Sequence, residues 1–158
     1  MLIMNRIGHS WGALAFAPAP IIELINLSPV HAAIGGLACL SGSSAPDWLE
    51  FKIIPHRTIT HVLSLWLCVA VYGYHLAYGL TDGIPAITSA NSFLGAFLLG
   101  FGAGGISHWL GDVLNKQPVP IFTLWDRVAF GLFRSGDHQR LTCLFISVVA
   151  WLYVFIRY

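Results

Sequence analysis

Two long stretches of uncharged residues limit most strongly what this chain can fold into. Residues 59–80 contain no Asp, Glu, Lys or Arg, and the same is true of the run that ends just before Asp112. A helix needs about 20 apolar residues to cross the hydrocarbon core of a bilayer, and both stretches are long enough. Only 9% of the chain is charged, whereas about a quarter of the residues in soluble globular proteins are charged. We therefore predict an all-α integral membrane protein with a single domain over residues 1–158.

Apolar windows along the chain predict a helical bundle with four to five membrane spans. The windows cover residues 10–27, 29–45, 59–80, 86–114 and 141–157. The first could instead lie flat at the interface, and the breaks at Pro18, Pro20 and Glu23 favour a retained helix over a cleaved signal peptide. Lys and Arg are absent from the loop at residues 81–92 and are concentrated in the loops at residues 46–58 and 115–140, which follow and precede other spans. The positive-inside rule therefore places those two loops in the cytoplasm.

Two further patterns predict how the helices pack. Gly95, Ala96, Gly100 and Gly104 recur at small-x-x-x-small spacing, which lets a second helix approach closely. Residues 121–134 mix aromatic and charged side chains, which predicts an amphipathic helix at the membrane interface. That helix would cover the bundle or act as a flap that contacts lipid headgroups.

The ionisable residues of the apolar segments converge on one side of the predicted membrane. Such side chains are costly at membrane depth, and they commonly mark functional sites. The convergent residues are His9, Asp47, Glu50, His56, His61, His108 and Asp112. His31, His75 and His138 fall outside this set, and we predict structural, interfacial or solvated positions for them.

The spacing of the convergent residues favours a metal site. His108 and Asp112 are four residues apart, so they share a helix face and can offer a nitrogen and an oxygen to one ion. We expect a turn over residues 55–58, after which Thr58 caps the next helix and His61 lies in the first turn of that helix. A mixed set of His and Asp without Cys suits Zn²⁺, and also Mn²⁺ or Fe²⁺.

Three motifs in the sequence match the pattern of a known family. They read GSSAPDWLEF, HRTITH and GGISHWLGDVLNKQPVPIFTLW. In this order they resemble the YdjM-type family of small bacterial inner-membrane proteins, which are described as metal-dependent hydrolases, over most of residues 5–126. The matching positions are His9, Pro46, Asp47, His56, Arg57, Thr60, His61, Ser107, His108, Asp112, Pro118, Pro120 and Trp125. The chain departs from the family at Leu49, Glu50 and Val62, where the family has Asp, His and Ser.

The resemblance implies a multi-pass protein of the bacterial inner membrane with a metal-dependent hydrolase centre. The order of the ligands is also similar to that in zinc-dependent phospholipases C and the related single-strand nucleases, which are all-α and cleave phosphodiesters at a multi-zinc site. This chain contains no His-x-x-x-Glu pair, so a full three-metal site is not expected. The departure at Leu49 removes one acidic position unless Glu50 takes it over.

These matches and spacings lead to a set of predicted site residues. The predicted metal ligands are His9, Asp47, His56, His61, His108 and Asp112, of which His9 and His56 are additional or second-site ligands. Either Asp47 or Asp112 could bridge two ions. Arg57 and Glu50 are the predicted catalytic residues, Arg57 as a two-point clamp for an anionic group. Ser107 and Thr60 are expected to orient imidazole rings.

The expected substrate is a lipid headgroup or a lipid-linked phosphate at the cytoplasmic interface. The net charge of +1 gives no reason to expect a nucleic acid partner. Three other readings stay open. The cluster could be a metal-stapled scaffold that binds a membrane protein without turnover, a b-type haem site with His61 and His108 as axial ligands, or an intramembrane serine protease that uses Ser107 with His61.

Overall fold

The described residues are mostly helical. The computed structural model describes residues 6–51, 53–80, 89–134 and 138–158, so Lys52 and most of the predicted outer loop at 81–92 lie outside them. The helices are α1 (Arg6–Phe16), α2 (Pro18–Ile25), α3 (Pro29–Gly42), α4 (Ala45–Trp48), α5 (Leu63–Ala77), α6 (Ser89–Val113) and α7 (Gln139–Arg157), with a 3-10 turn at Ile59–His61 and two strands, β1 (Val119–Pro120) and β2 (Arg127–Val128).

Two helices of the described residues are long and apolar enough to cross a membrane. They are Asn91–Val113 within α6, with a mean hydropathy of 1.4, and Gln139–Arg157, with a mean hydropathy of 1.7. The other three predicted spans correspond to shorter helices. Helices α3 and α5 have 14 and 15 residues, and the first window is divided between α1 and α2 because Pro18 lacks the N–H that would continue the helix. Length and composition thus identify two candidate spans, not four or five.

Helix α6 lies at the centre of the bundle because its glycines let two neighbours approach it. A Cβ atom at Gly100 or Gly104 would overlap the main chain of α3, around Gly35 and Cys39. On another face of α6, a Cβ atom at Gly95 would overlap the main chain of α5. The predicted close packing through small residues is therefore confirmed, and it fixes α6 between α3 and α5.

The predicted amphipathic helix at residues 121–134 is wrong. This segment is part of a short antiparallel hairpin in which Val119 pairs with Val128 and Pro120 with Arg127. The carboxylate of Asp126 accepts hydrogen bonds from the main-chain N–H groups of Phe122 and Thr123. These bonds satisfy the backbone in a tight turn, which competes with helix formation.

His31 has the structural role that its position predicts. One ring nitrogen lies 2.7 Å from the Ser28 hydroxyl and the other lies 3.0 Å from the Ser92 hydroxyl. The ring also stacks on Phe93. His31 therefore ties the start of α3 to α6, far in the sequence from the convergent residues.

Replacing Gly104 with Val should destabilise the protein by about 3 kcal/mol, since the added side chain cannot fit without separating α3 from α6. The midpoint of thermal unfolding of the purified protein in detergent measures this loss. Ala33→Val, on the exposed face of α3, is the matched control and should unfold like the native protein. An unchanged midpoint for Gly104→Val would contradict the contact between these two helices.

Candidate metal centre

The candidate site lies where four segments of the chain meet. Helix α6 contributes His108 and Asp112 in its last two turns. The 3-10 turn before α5 contributes His61, and the first turn of α4 contributes Asp47. Helix α1 contributes His9. The expected turn over residues 55–58 is present, although the Thr58 side chain does not cap the 3-10 helix and instead donates to the carbonyl of Pro55.

Four ligand atoms at the site lie close together, and most of the distances between them are near those of a tetrahedral ligand set. They are Nε2 of His61, Nε2 of His108, Oδ1 of Asp47 and Oδ2 of Asp112. The two Nε2 atoms are 3.2 Å apart. The Nε2 atom of His61 lies 3.6 Å from Asp112 Oδ2, and that of His108 lies 3.4 Å from it. The same nitrogens lie 3.5 Å and 3.6 Å from Asp47 Oδ1. Ligands bound to zinc at about 2.0–2.1 Å in a tetrahedron are separated by about 3.3–3.4 Å, and these five of the six distances within the set are close to that value.

The hydrogen bonds of the two imidazoles determine which nitrogen faces the centre. His108 Nδ1 lies 2.7 Å from the main-chain carbonyl of Ser43, and His61 Nδ1 lies 3.1 Å from the hydroxyl of Thr60, which itself donates to Glu50 at 3.4 Å. The carbonyl only accepts hydrogen bonds, and the Thr60 hydroxyl has already used its hydrogen, so each Nδ1 carries a proton. In the neutral ring, Nε2 then presents a lone pair to the centre, which is the tautomer that a metal ligand requires.

The two carboxylate oxygens at the centre are buried without a hydrogen-bond donor. Within the described residues, neither Asp47 Oδ1 nor Asp112 Oδ2 has a partner. A buried charged oxygen is costly when it is left unpaired. A cation between these oxygens and the two Nε2 lone pairs would remove that cost. The residues present therefore fit a bound divalent ion.

Electrostatics keep Asp47, His61 and His9 in the form that binds metal. Burial alone would raise the pKa of Asp47, but the adjacent imidazoles of His61, His108 and His9 hold that pKa at about 2. Burial lowers the pKa of His61. Burial, reinforced by His108, lowers the pKa of His9 to about 3. Asp47 is therefore ionised and both histidines are neutral at neutral pH, as metal ligation needs.

The guanidinium group of Arg57 forms hydrogen bonds with other groups of the protein. Its NH2 group donates to Asp112 Oδ1 at 2.8 Å, and its NH1 group donates to the carbonyl of Gln117 at 2.6 Å. Asn115 donates to the same Asp112 oxygen at 3.2 Å. Arg57 is buried, and its contact with Asp112 orients that carboxylate. The role of Arg57 as a clamp for a substrate anion stays a prediction. Asn115 was missed in the sequence, although its i, i+3 spacing from Asp112 is a signal for this contact.

Glu50 lies on the Nδ1 side of the His56 and His61 rings and is not one of the four ligand atoms. Its carboxylate lies 3.0 Å from His56 Nδ1 and 3.2 Å from His61 Nδ1. It also accepts the main-chain N–H of Arg57 at 3.3 Å. Glu50 thus orients two imidazoles, a role that supporting carboxylates commonly have in metal sites. The carbonyl of Ser43 has the same role for His108, and no side-chain pattern could have revealed it.

The remaining predicted residues surround the four-atom set. The ring of His9 stacks on that of His108 with 3.8 Å between centroids, and His56 Nδ1 lies 3.9 Å from Asp47 Oδ1. The Thr60 hydroxyl lies 3.1 Å from His61 Nδ1, as expected of an orienting residue. Ser107 is buried, and its hydroxyl has no partner in the described part of the chain.

A cavity of about 350 Å³ opens beside the site. It is lined by His9, Ser44, Asp47 and Trp48. The side chain of Asp47 is 28% exposed, whereas those of His61, His108 and Asp112 are at most 3% exposed. Solvent and small molecules therefore reach the four-atom set past Asp47.

Comparisons with models of protein families, with curated protein sequences and with solved structures find no match for this chain. The resemblance to the YdjM-type family therefore stays a prediction from three motifs. Among the described residues, two groups of three have ligand atoms within 4.8 Å of one another and could hold a metal ion: His9 with His108 and Asp112, and Asp47 with His56 and His61. Each group contributes two residues to the four-atom set.

Replacing Arg57 with Met should weaken zinc binding by about 10–100-fold, because Asp112 would lose the donor that orients it. Isothermal titration of the metal-free protein with Zn²⁺ measures the change. Lys116→Met removes an exposed cation nearby and should leave the affinity unchanged. If Arg57→Met binds zinc like the native protein and instead loses affinity for inorganic phosphate, Arg57 is an anion clamp and does not support Asp112.

Proposed function

We propose that this chain is a membrane-embedded, metal-dependent hydrolase, and specifically a phosphoesterase that acts on a lipid or lipid-linked phosphate at the cytoplasmic interface of a bacterial inner membrane. The observation that carries the proposal is the close approach of the two Nε2 atoms of His61 and His108 to each other and to one oxygen each of Asp47 and Asp112, at 3.2–3.6 Å. Two nitrogens and two oxygens favour Zn²⁺, and Mn²⁺ or Fe²⁺ would also fit this donor set.

The residues of the site would divide the work of binding and orientation. A divalent ion held there supplies Lewis-acid chemistry, since it activates water as a nucleophile and polarises the oxygen under attack. His61, His108 and Asp112 would hold the ion from the buried side. Asp47 lies between the ion position and the cavity, so the phosphate of a substrate approaches past its carboxylate. Glu50 and Arg57 keep the ligands in place.

The surface near the cavity supports a lipid as the source of the phosphate. Trp48 lines the cavity and is exposed, and Phe51, Phe122 and Trp125 are exposed in the neighbouring loops. Tryptophan and other large aromatic side chains are enriched where a protein meets the headgroup layer. The exposed Lys116 follows α6 at the same end of the chain's candidate span and would attract anionic headgroups.

A second candidate function is a metal-stapled scaffold without turnover, which binds a membrane protein partner. The closed ligand set favours it: four protein ligands are typical of structural zinc sites, whereas catalytic sites keep one position for water or substrate. The scaffold and the hydrolase make the same prediction for metal content. They differ in whether metal-replete protein releases phosphate from a lipid.

Replacing His108 or Asp112 with Ala should abolish stoichiometric metal binding and all hydrolysis, because either change removes a buried ligand. Elemental analysis of the purified variants gives the metal content, and phosphate release from phosphatidic acid or polyprenyl phosphate in mixed micelles gives the activity. His75→Ala removes an exposed histidine of α5 and is the matched control, with both properties retained.

The outcomes separate the two functions. Full metal retention in both alanine variants would contradict the proposed centre. A native protein that holds its metal and releases no phosphate from either lipid would favour the scaffold over the hydrolase.

A further inference from the structure

A second cavity lies inside the helical bundle, away from the metal centre. Its volume is about 340 Å³, within the range of about 300–1,000 Å³ that is usual for small-molecule sites. Helix α6 contributes Leu99, Ala103 and Ile106 to its lining, and residues of α1, α2, α5 and α7 complete it. Leu99 and His108 are nine positions apart on α6, which is two and a half turns, so they point to opposite faces of that helix. This cavity is therefore separate from the metal centre.

A buried carboxylate lies at one end of this apolar cavity. Among the described residues that line it, Glu23 alone is charged, and Glu23 is only 3% exposed. The Tyr153 hydroxyl donates to Glu23 Oε1 at 2.5 Å, and Nε of Arg157 donates to the same oxygen at 3.0 Å. Neither contact occupies Oε2. A charged group in apolar surroundings is costly unless it is paired, and at membrane depth it commonly marks a functional site.

Arg157 pairs with this carboxylate from outside the cavity. It is the last residue of α7, it does not line the cavity, and its side chain is 51% exposed. Its other contact, from NH2 to the Tyr74 hydroxyl at 3.4 Å, is also exposed. Ion pairs that reach the surface contribute little, because water solvates the arginine when it leaves. The Arg157 guanidinium is therefore a cation that a ligand can displace from Glu23.

The cavity opens between α5 and α7. Leu67 and Val71 of α5 and Tyr153 of α7 line it and are exposed, whereas Leu99 and Ala103 of α6 line it and are buried. Helix α7 is long and apolar enough to cross a membrane. In a bilayer the opening would face the lipid, so a hydrocarbon chain could enter from the side and reach α6.

We infer that this cavity binds an amphiphilic ammonium compound, whose hydrocarbon chain fills the apolar part and whose cationic nitrogen replaces the Arg157 guanidinium beside Glu23. The rings of Tyr74 and Tyr153 line the same cavity, and aromatic faces attract ammonium groups. A phospholipid headgroup fits less well, because its phosphate would repel the Glu23 carboxylate. This site is independent of the metal centre and of the proposed hydrolysis.

Calorimetric titration of the full-length, detergent-purified protein with octyltrimethylammonium chloride tests this site, after subtraction of the same titration into protein-free micelles. Glu23→Gln should weaken binding at least about 10-fold, because the buried carboxylate that pairs with the cation is lost. Arg157→Gln should strengthen binding about 3–10-fold, because the native side chain no longer competes for Glu23. Arg140→Gln removes an exposed cation from the other end of α7 and is the matched control, with native affinity.

A larger side chain and an uncharged ligand test the apolar part of the site separately from the charge. Ala103→Leu extends a side chain from α6 into the cavity, so it should lose ammonium binding while its metal content stays native. 1-Octanol has the same chain length without the charge. It should bind the native protein at least about 10-fold more weakly than the ammonium compound does, and it should not distinguish Glu23→Gln from the native protein.

The opposite effects of Glu23→Gln and Arg157→Gln decide the inference, since an ion pair with only a structural role would make both variants behave alike. The inference is overturned if Arg157→Gln binds the ammonium compound no more tightly than the native protein. It is also overturned if octanol binds as tightly as the ammonium compound, or if Ala103→Leu binds it normally. His108→Ala should keep native ammonium binding, so failure of the metal centre and failure of this site are distinguishable.

Discussion

The mutual approach of two imidazole lone pairs and two carboxylate oxygens is the constraint on which the rest of this structure depends. The Nε2 atoms of His61 and His108 lie 3.2 Å apart, and the two aspartate oxygens beside them have no hydrogen-bond partner among the described residues. With both rings neutral and no cation, buried acceptors would face only other acceptors, which is costly in a protein interior. The carbonyl of Ser43 and the Thr60 hydroxyl favour this arrangement, because they hold a proton on the far nitrogen of each ring.

Helix packing sets these distances. Helix α6 brings His108 and Asp112, and its glycines place it against the main chains of α3 and α5. The carbonyl that orients His108 follows the last residue of α3, and His61 lies two residues before the first residue of α5. The ligand geometry therefore depends on the close contact between these helices. A small displacement of α3 or α5 would move the Ser43 carbonyl or His61. The glycines that first indicate packing also determine whether the metal centre can form.

The sequence predicted the parts of the site that depend on local spacing. His108 and Asp112 share a face of α6 because they are one turn apart, and the grouping of polar residues between apolar segments indicated which loops would meet. Three features depended on contacts that spacing does not encode. Asp126 stabilises a hairpin where an amphipathic helix was expected. Arg57 lies behind Asp112, and its charge gave no sign of that orientation. Helices α3 and α5 end too early to be candidate spans, although their apolar windows extend further.

X-ray absorption spectroscopy of the purified protein loaded with one equivalent of Zn²⁺ tests the central claim most directly. The account predicts about four nitrogen and oxygen neighbours at about 2.0–2.2 Å, with the outer-atom scattering of two imidazole rings. The same spectrum should change in His61→Ala, because one imidazole would be lost. A sulfur neighbour at about 2.3 Å, or a spectrum without imidazole scattering, would contradict a centre formed by His61, His108, Asp47 and Asp112.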